Sequence, residues 1–298
     1  MAVEPSNTPW LSLLLPTYHY PVGVQRILDI LLASRMKGVQ CIVGDDSTDD
    51  RVELAILAHP AFQAGLVEYH RNPPGGGAVR NWNSLLARAT GDHVLTMHHD
   101  ECPLDVGFFD ALRRLVTTTQ PPDHVVLDCL LLNRAGKLRS HMPRWLRAWL
   151  LRAFPTHLLR HNSVGSPSVW VVRRALAQPF REDLKWLVDV EWYTRMLRAR
   201  PDAKVEMSEL AVVSLPPPGD TITARIAAEI PTLARTEAVL IEASFGRLPP
   251  LRLMLPRSLP ERAFAIIESA AWTALRLLVR ACGELSRRPP PAWLPEKH

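Results

Sequence analysis

The sequence predicts an α/β fold: a Rossmann-like, mostly parallel sheet flanked by helices, with a helical extension towards the C-terminus. Three observations predict it. Over roughly the first hundred residues, short apolar runs alternate with segments of helical hydrophobic spacing, the pattern of successive β-α-β units. Each apolar run ends in polar or glycine-containing sequence, and in open α/β sheets that carboxyl edge is where ligands bind. The stretch GDHVLTMHHDE, Gly91 to Glu101, then breaks from an apolar run, His93 to Met97, into His98, His99, Asp100 and Glu101. Pro103 opposes a simple continuation of that strand. Four ionisable residues at the end of a buried strand are costly unless something pairs with them. A solvated turn is the plain alternative. The functional one is a divalent metal carried by a phosphorylated ligand, because hard cations take carboxylate and phosphate oxygens.

Taken in order, Trp10 to Leu15 is a compact apolar strand ending at Pro16-Thr17-Tyr18. From Pro21 to Lys37 the residues Val24, Ile27, Leu28, Leu31 and Leu32 fall at helical spacing, and Gly38 closes the helix. Val39 to Val43 is the second strand, running into Gly44-Asp45-Asp46-Ser47-Thr48-Asp49-Asp50. Adjacent carboxylates at Asp45 and Asp46 can accept from a base or a ribose, while Asp49 or Asp50 can cap the helix Val52 to Leu57. Leu66 to His70 is a third strand, followed by Gly75-Gly76-Gly77 and a helix from Val79 to Ala89. That glycine loop matches neither GxGxxG nor a Walker A loop, and a plain flexible loop fits it as well as a phosphate cradle.

Composition narrows the classes. With 298 residues, 47% hydrophobic and 22% charged, the chain is globular and long enough for one large domain plus an appendage. The net charge of +5 is mild, and the basic residues form no stripe with stacking aromatics, which argues against nucleic acid. Cys41, Cys102, Cys129 and Cys282 lie far apart without zinc spacing. MAVEPSNTPW has no basic region leading into an apolar core, and no apolar run nears the roughly 18 residues of a membrane span. The expected compartment is the cytoplasm.

PTY after the first strand, GDDSTDD after the second, the glycine loop leading to Ala78-Val79-Arg80-Asn81, and Gly91-Asp92 before HHDE occur in order. Together they resemble the nucleotide-sugar-binding half of a family 2 glycosyltransferase with the GT-A fold. The likeness covers Leu11 to Phe109 and resumes at Asn162 to Ser168 and at Val188-Asp189-Val190-Glu191-Trp192. It implies that Pro16, Thr17, Tyr18, Asp45 and Asp46 line the nucleoside site and that Arg80 braces the diphosphate. It also implies that Asp100 meets a divalent cation, Mg²⁺ or Mn²⁺, with His98 and His99 beside the donor. The family's acidic signature usually reads Asp-x-Asp, and here His98 stands at its first position; imidazole is a poor Mg²⁺ ligand but binds Mn²⁺.

The likeness further implies that Asp189 deprotonates the acceptor hydroxyl. On a helix read as Leu184 to Arg198, Asp189 has apolar neighbours that raise a carboxyl pKa towards the range of a base, and Glu191 is the other candidate. Between the halves, Trp145, Leu146, Trp149, Leu150 and Phe154 can share a helical face, with Arg144, Arg147, Arg152 and Arg160 around it. Such a segment is either a lid packed on the core or a surface for an anionic membrane. The tail reads as helical from Thr221 to Ser244 and again from Glu261 to Leu285, with Arg287 to His298 disordered.

The expected organisation is a GT-A catalytic domain over residues 1–215, with a nucleotide-sugar half at 1–110 and an acceptor half at 111–215, then an extension at 216–298. The expected activity is inverting, metal-dependent transfer of a sugar from a nucleotide-diphosphate donor to a saccharide or lipid-linked saccharide in bacterial cell-surface glycan synthesis. A catalytically degenerate nucleotide-sugar-binding protein is the alternative, motivated by His98. A Rossmann dehydrogenase is disfavoured, since no GxGxxG follows the first strand.

Overall fold

A computed structural model describes residues 8–73, 76–132, 137–153, 155–159, 162–215 and 226–245, with 270, 273, 274 and 277 beyond them. Strands β1 (Leu11–Thr17), β2 (Val39–Asp45), β3 (Val67–Arg71) and β4 (His93–Thr96) pair in parallel in the order β3-β2-β1-β4. The chain leaves β1 towards β2 on one side and later returns to β4 on the other. The carboxyl ends of β1 and β4 therefore flank a topological switch point, the place where open α/β sheets bind ligands. Every residue of β1 and β4 is buried, as their apolar runs predict.

Helix α1 (Pro21–Ser34) starts on a proline, and Arg35 ends it in the left-handed region at φ 51°. Gly23 lets α1 approach the end of β4, because a Cβ there would lie 1.8 Å from the His99 carbonyl oxygen. Pro16 sits in β1 two residues past Leu14, the last to pair with β4, so its missing N–H costs no ladder bond on that side. Helix α2 (Arg51–Leu57) has Asp50 at its N-cap without a side-chain bond, while Asp49 Oδ1 accepts from Arg51 N at 3.2 Å. Helices α3 (Pro60–Gln63) and α4 (Ala78–Arg88) complete the crossovers.

The second half extends the same sheet as β8-β6-β9-β5, formed by β5 (Glu101–Pro103), β6 (His124–Leu132), β8 (Trp170–Arg173) and β9 (Val205–Ser214). β7 (Leu138–Ser140) hangs off β6. Antiparallel pairing enters at β4–β8, β6–β8, β6–β7 and β5–β9, while parallel ladders still carry most of the paired residues. Helix α5 (Phe108–Val116) buries Phe108, Phe109, Leu112 and Val116 in the continuous core.

Two expectations are corrected here. The helix read from Leu184 begins only at Val188, as α7 (Val188–Ala199). The amides of residues 185–187 point instead to the carboxylate of Glu237 on α8 (Ile230–Phe245). In α6 (Arg144–Ala153), the expected ring of surface arginines fails at Arg147, which is fully buried. Its Nη1 donates to Leu127 O at 2.9 Å and its Nη2 to Asp128 Oδ1 at 2.6 Å. Arg144 pairs with Glu209 at 2.5 Å. Leu146 and Leu150 pack inward with Met142, while Trp145 and Trp149 stand 65% and 53% exposed. Phe154, Arg160 and residues 216–225 fall outside the described residues, as does the tail beyond 245 except for residues 270, 273, 274 and 277, which are helical within the expected stretch Glu261 to Leu285.

Candidate active site

The strand ends gather the expected groups. At the end of β1, Thr17 is buried, and Tyr18 N donates to His99 Nδ1 at 3.2 Å, tying the end of β1 to the end of β4. That bond makes Nδ1 of His99 an acceptor. Beyond β2, the two acids divide. Asp45 is wholly enclosed: Oδ1 accepts from Ser47 N at 2.9 Å and Oδ2 from the Tyr69 hydroxyl at 2.7 Å. Asp46 Oδ2 accepts from Gly77 N at 3.0 Å, leaving Oδ1 buried without an internal partner. Burial pushes the Asp46 carboxyl above its usual range, with Gly77 N–H opposing and Asp45 adding to the rise. Asp45 is thus a brace for the loop, and Asp46 is the acid with an oxygen to offer.

His98 stacks on Trp82 of α4, with centroids 4.8 Å apart and planes at 27°. Its backbone N donates to Ser168 Oγ at 2.8 Å, and its Nε2 is buried without an internal partner. Glu101, also buried, accepts from Ser166 Oγ at 2.5 Å and lies 3.9 Å from His98 Nδ1. Burial favours neutral imidazole at His98 and His99 and raises the Glu101 carboxyl, assisted by the nearby charge of Asp100. His98, Asp100 and Glu101 each bring one ligand atom within 4.8 Å of one another. Two carboxylates and a neutral imidazole fit a divalent cation, and this mixed donor set suits Mn²⁺ better than Mg²⁺.

Arg80 is exposed near the start of α4, its Nε 3.2 Å from Glu182 Oε2. Asn81, one residue on, holds the Gly44 carbonyl at 2.8 Å, and a Cβ on Gly44 would meet Asn81 Oδ1 at 2.3 Å. That close approach locks the start of α4 against the end of β2.

Asp189 lies in the first turn of α7. Its Oδ1 accepts from Val190 N at 2.9 Å and its Oδ2 from Asn162 Nδ2 at 3.0 Å. Burial lifts its carboxyl to about 6 against those bonds, and its charge acts on Glu101 across the site. Glu191, two residues on, is turned away. It is buried and gripped by Arg195 through two bonds of 2.8 and 3.1 Å, with Arg195 held in turn by Gln178. The helix therefore presents Asp189 to the site and commits Glu191 to an ion pair.

Several site residues carried no distinct signal in the sequence: Trp82, Tyr69 and the role of Asn162 towards Asp189. Ser166 and Ser168 lie in the stretch Asn162 to Ser168 that carries the family likeness, though nothing local marked them as partners of Glu101 and His98.

The mostly parallel sheet flanked by helices is that of a GT-A glycosyltransferase fold. The model of "Glycosyl transferase family 2" matches residues 12–178, more than half of the chain, and the chain belongs to that family. No curated protein sequence matches it. Among solved structures, it is similar to S. aureus TarS 1–349 in complex with UDP-GlcNAc, at 17% identity and TM-score 0.55, covering 83% of this chain and 76% of that one. For the longer S. aureus TarS chain the values are 18% and 0.52, and the match spans only 46% of TarS. Glucosyl-3-phosphoglycerate synthase from Mycobacterium tuberculosis, crystallised with Mn²⁺, UDP and phosphoglyceric acid, is similar at 18% and 0.51, covering 80% of this chain and 79% of that one. Among the described residues no helix is long and apolar enough to cross a membrane.

Proposed function

We propose that this chain moves a sugar from a nucleotide-diphosphate donor to an acceptor hydroxyl, with inversion at the anomeric carbon, in the synthesis of a bacterial cell-surface glycan. One observation carries the reading. Thr17 Oγ1, Asp46 Oδ1 and His98 Nε2 are buried polar atoms without partners among the described residues at three adjoining strand ends, a costly arrangement that a polar ligand relieves. Thr17, Tyr18 and Asp46 hold the nucleoside, with Pro16 and Asp45 shaping and bracing that wall. Arg80 exchanges its exposed bond with Glu182 for the diphosphate. His98, Asp100 and Glu101 hold the divalent cation, and His99 fixes the neighbouring loop. When bound, the cation neutralises charge developing on the leaving diphosphate.

Asp189 takes the proton of the acceptor hydroxyl as that oxygen attacks the anomeric carbon, and the bond to the diphosphate breaks with its electron pair leaving on phosphate oxygen. A carboxyl lifted to about 6 is ionised at neutral pH yet basic enough to share a proton in the transition state. Residues 1–215 form the catalytic unit in this reading, and 216–298 the extension that packs on it through α8.

A screen of nucleotide-sugars for thermal stabilisation, with and without Mn²⁺, followed by a transfer assay, tests the proposal. Binding accompanied by turnover supports it. Binding without turnover on any acceptor or water would instead support the degenerate binding protein.

The acceptor reading rests on α6. Trp145 and Trp149 lie on successive turns and point outward, with Arg152 exposed one turn further on. Aromatics beside a cation suit insertion into an anionic headgroup layer. In this reading the protein attaches peripherally to the cytoplasmic face of a membrane and glycosylates a lipid-linked saccharide.

A further inference from the structure

Helix α7 has no N-cap of its own: Leu187 occupies the cap position and offers no side-chain acceptor. The first amides of a helix and those just before it need partners when they are enclosed. The amides of Lys185, Trp186 and Leu187, which lead into the helix, find theirs on Glu237, fifty residues later. Glu237 Oε1 accepts from Lys185 N at 2.6 Å and from Trp186 N at 3.2 Å, while Oε2 accepts from Trp186 N at 3.0 Å and Leu187 N at 2.7 Å. Three consecutive amides thus converge on one carboxylate, which is itself only 3% exposed. Charge-assisted bonds are the stronger kind, and a carboxylate at a helix N-terminus also complements the helix dipole.

The surrounding contacts make this a clamp rather than a chance approach. Ile241, one turn beyond Glu237, is fully buried in the core. Arg181 Nη1 donates to Ser244 Oγ at 2.9 Å, and Arg198, near the other end of α7, donates to Phe245 O at 3.2 Å. On its opposite side the same segment is held by α4, where Asn83 bonds both the N–H and the carbonyl of Phe180. Residues 180–187 are therefore stretched between α4 and α8, and Asp189 begins two residues past the last amide that Glu237 grips.

We propose that Glu237 is a positioning residue for the transfer reaction: from the C-terminal extension it holds the three residues that lead into α7 and so fixes where the Asp189 carboxylate meets the acceptor. The proposal rests on Asp189 being the base. Its consequence is that the extension takes part in setting the rate while staying outside the donor site.

The test compares Glu237→Gln, Glu237→Asp, Thr236→Ala and Asp189→Asn, with amide hydrogen exchange over residues 184–199, donor binding by calorimetry and steady-state kinetics on each. Glu237→Gln is expected to speed exchange at residues 185–187 and to lower kcat at least about tenfold, while donor affinity stays within about twofold. Glu237→Asp keeps the charge and should recover part of the rate, and it carries the test if the glutamine variant does not fold. Thr236→Ala removes a bond internal to α8, outside the contacts with residues 180–187, and should leave kcat unchanged. Unchanged exchange at 185–187 would overturn the clamp. Faster exchange with wild-type kcat, or a loss of donor affinity as large as the loss of kcat, would overturn the positioning role. If Asp189→Asn keeps wild-type turnover, the base assignment falls and the positioning of that base with it. If Asp189→Asn is inactive and both Glu237 variants keep full kcat, the positioning inference alone falls.

Discussion

Thr17, Asp46 and His98 reach the site by short local routes, whereas Asp189 is brought there by contacts that span the chain. The first three sit at or just beyond the ends of β1, β2 and β4, whose parallel register lines up the strand ends directly. Asp189 instead stands on a helix whose start is held by Asn162 from one loop and by Glu237 from a distant helix. A strand end inherits its place from the sheet, so it tolerates change elsewhere. A helix start held from outside depends on residues far from the chemistry. The β1–β4 side should therefore respond to substitution mainly in donor and metal binding, and the α7 side mainly in rate.

The sharpest contrast comes from two substitutions. Asp189→Asn is expected to lower the transfer rate by roughly two to four decades, the span of a general base, with donor affinity unchanged in calorimetry. An equal loss of donor binding would place Asp189 on the donor side and erase the contrast. Asp100→Asn should cost at least about tenfold in turnover, about 1.4 kcal/mol or more, and should also remove the Mn²⁺-dependent part of donor binding. His98→Asp should keep activity while shifting preference from Mn²⁺ towards Mg²⁺. Complete inactivity there would give the imidazole a role of its own.

Glu191→Gln probes the same helix on its other face. Breaking the buried pair with Arg195 is expected to lower stability by about 1–3 kcal/mol in denaturant unfolding while turnover changes less than about threefold. A large loss of turnover without a stability change would return Glu191 to the candidates for the base. The smallest effect on catalysis belongs to α6. The double substitution Trp145→Ala and Trp149→Ala should leave transfer to a soluble acceptor intact and reduce co-sedimentation with anionic vesicles. If the wild-type protein stays in the supernatant with such vesicles at low salt, the membrane reading is wrong.

The same difference decides what the sequence could tell. β1 to β4 and their helices are legible because each β-α-β unit closes locally: the apolar runs and Pro21 at a helix start carry period or punctuation, although α1 ends at Ser34 with Arg35, not Gly38, in the left-handed position. Asp100 and Asp46 are legible because charged residues at the ends of buried strands are conspicuous. Asp189 and Glu191 look alike in sequence; a tertiary contact from Asn162 marks the first, while Glu191 pairs with Arg195 one turn on in the same helix, an i,i+4 spacing the sequence did carry. Arg147 misled because a basic residue on an amphipathic helix usually faces water, whereas here Leu127 O and Asp128 draw it inside. Glu237 was silent, since nothing local marks a glutamate whose partners are three backbone amides about fifty residues earlier.

Asp189 also makes a signed statement about stability. Its folded carboxyl is raised to about 6, above the unfolded value, so the folded state binds its proton more tightly. The resulting penalty is absent below about pH 4, grows as pH rises to about 6 and is fully present at neutral pH. Asp189→Asn is therefore expected to stabilise the protein at pH 7.5 by on the order of 1 kcal/mol, with the gain fading below pH 4, as followed by thermal unfolding.

The pH dependence of kcat for the wild type and for Asp189→Asn tests the central claim most directly. The wild type should lose activity as pH falls through about 6, by tenfold per unit once Asp189 is protonated, and the residual activity of Asp189→Asn should lack that limb. The same acid limb in both proteins would contradict Asp189 as the base.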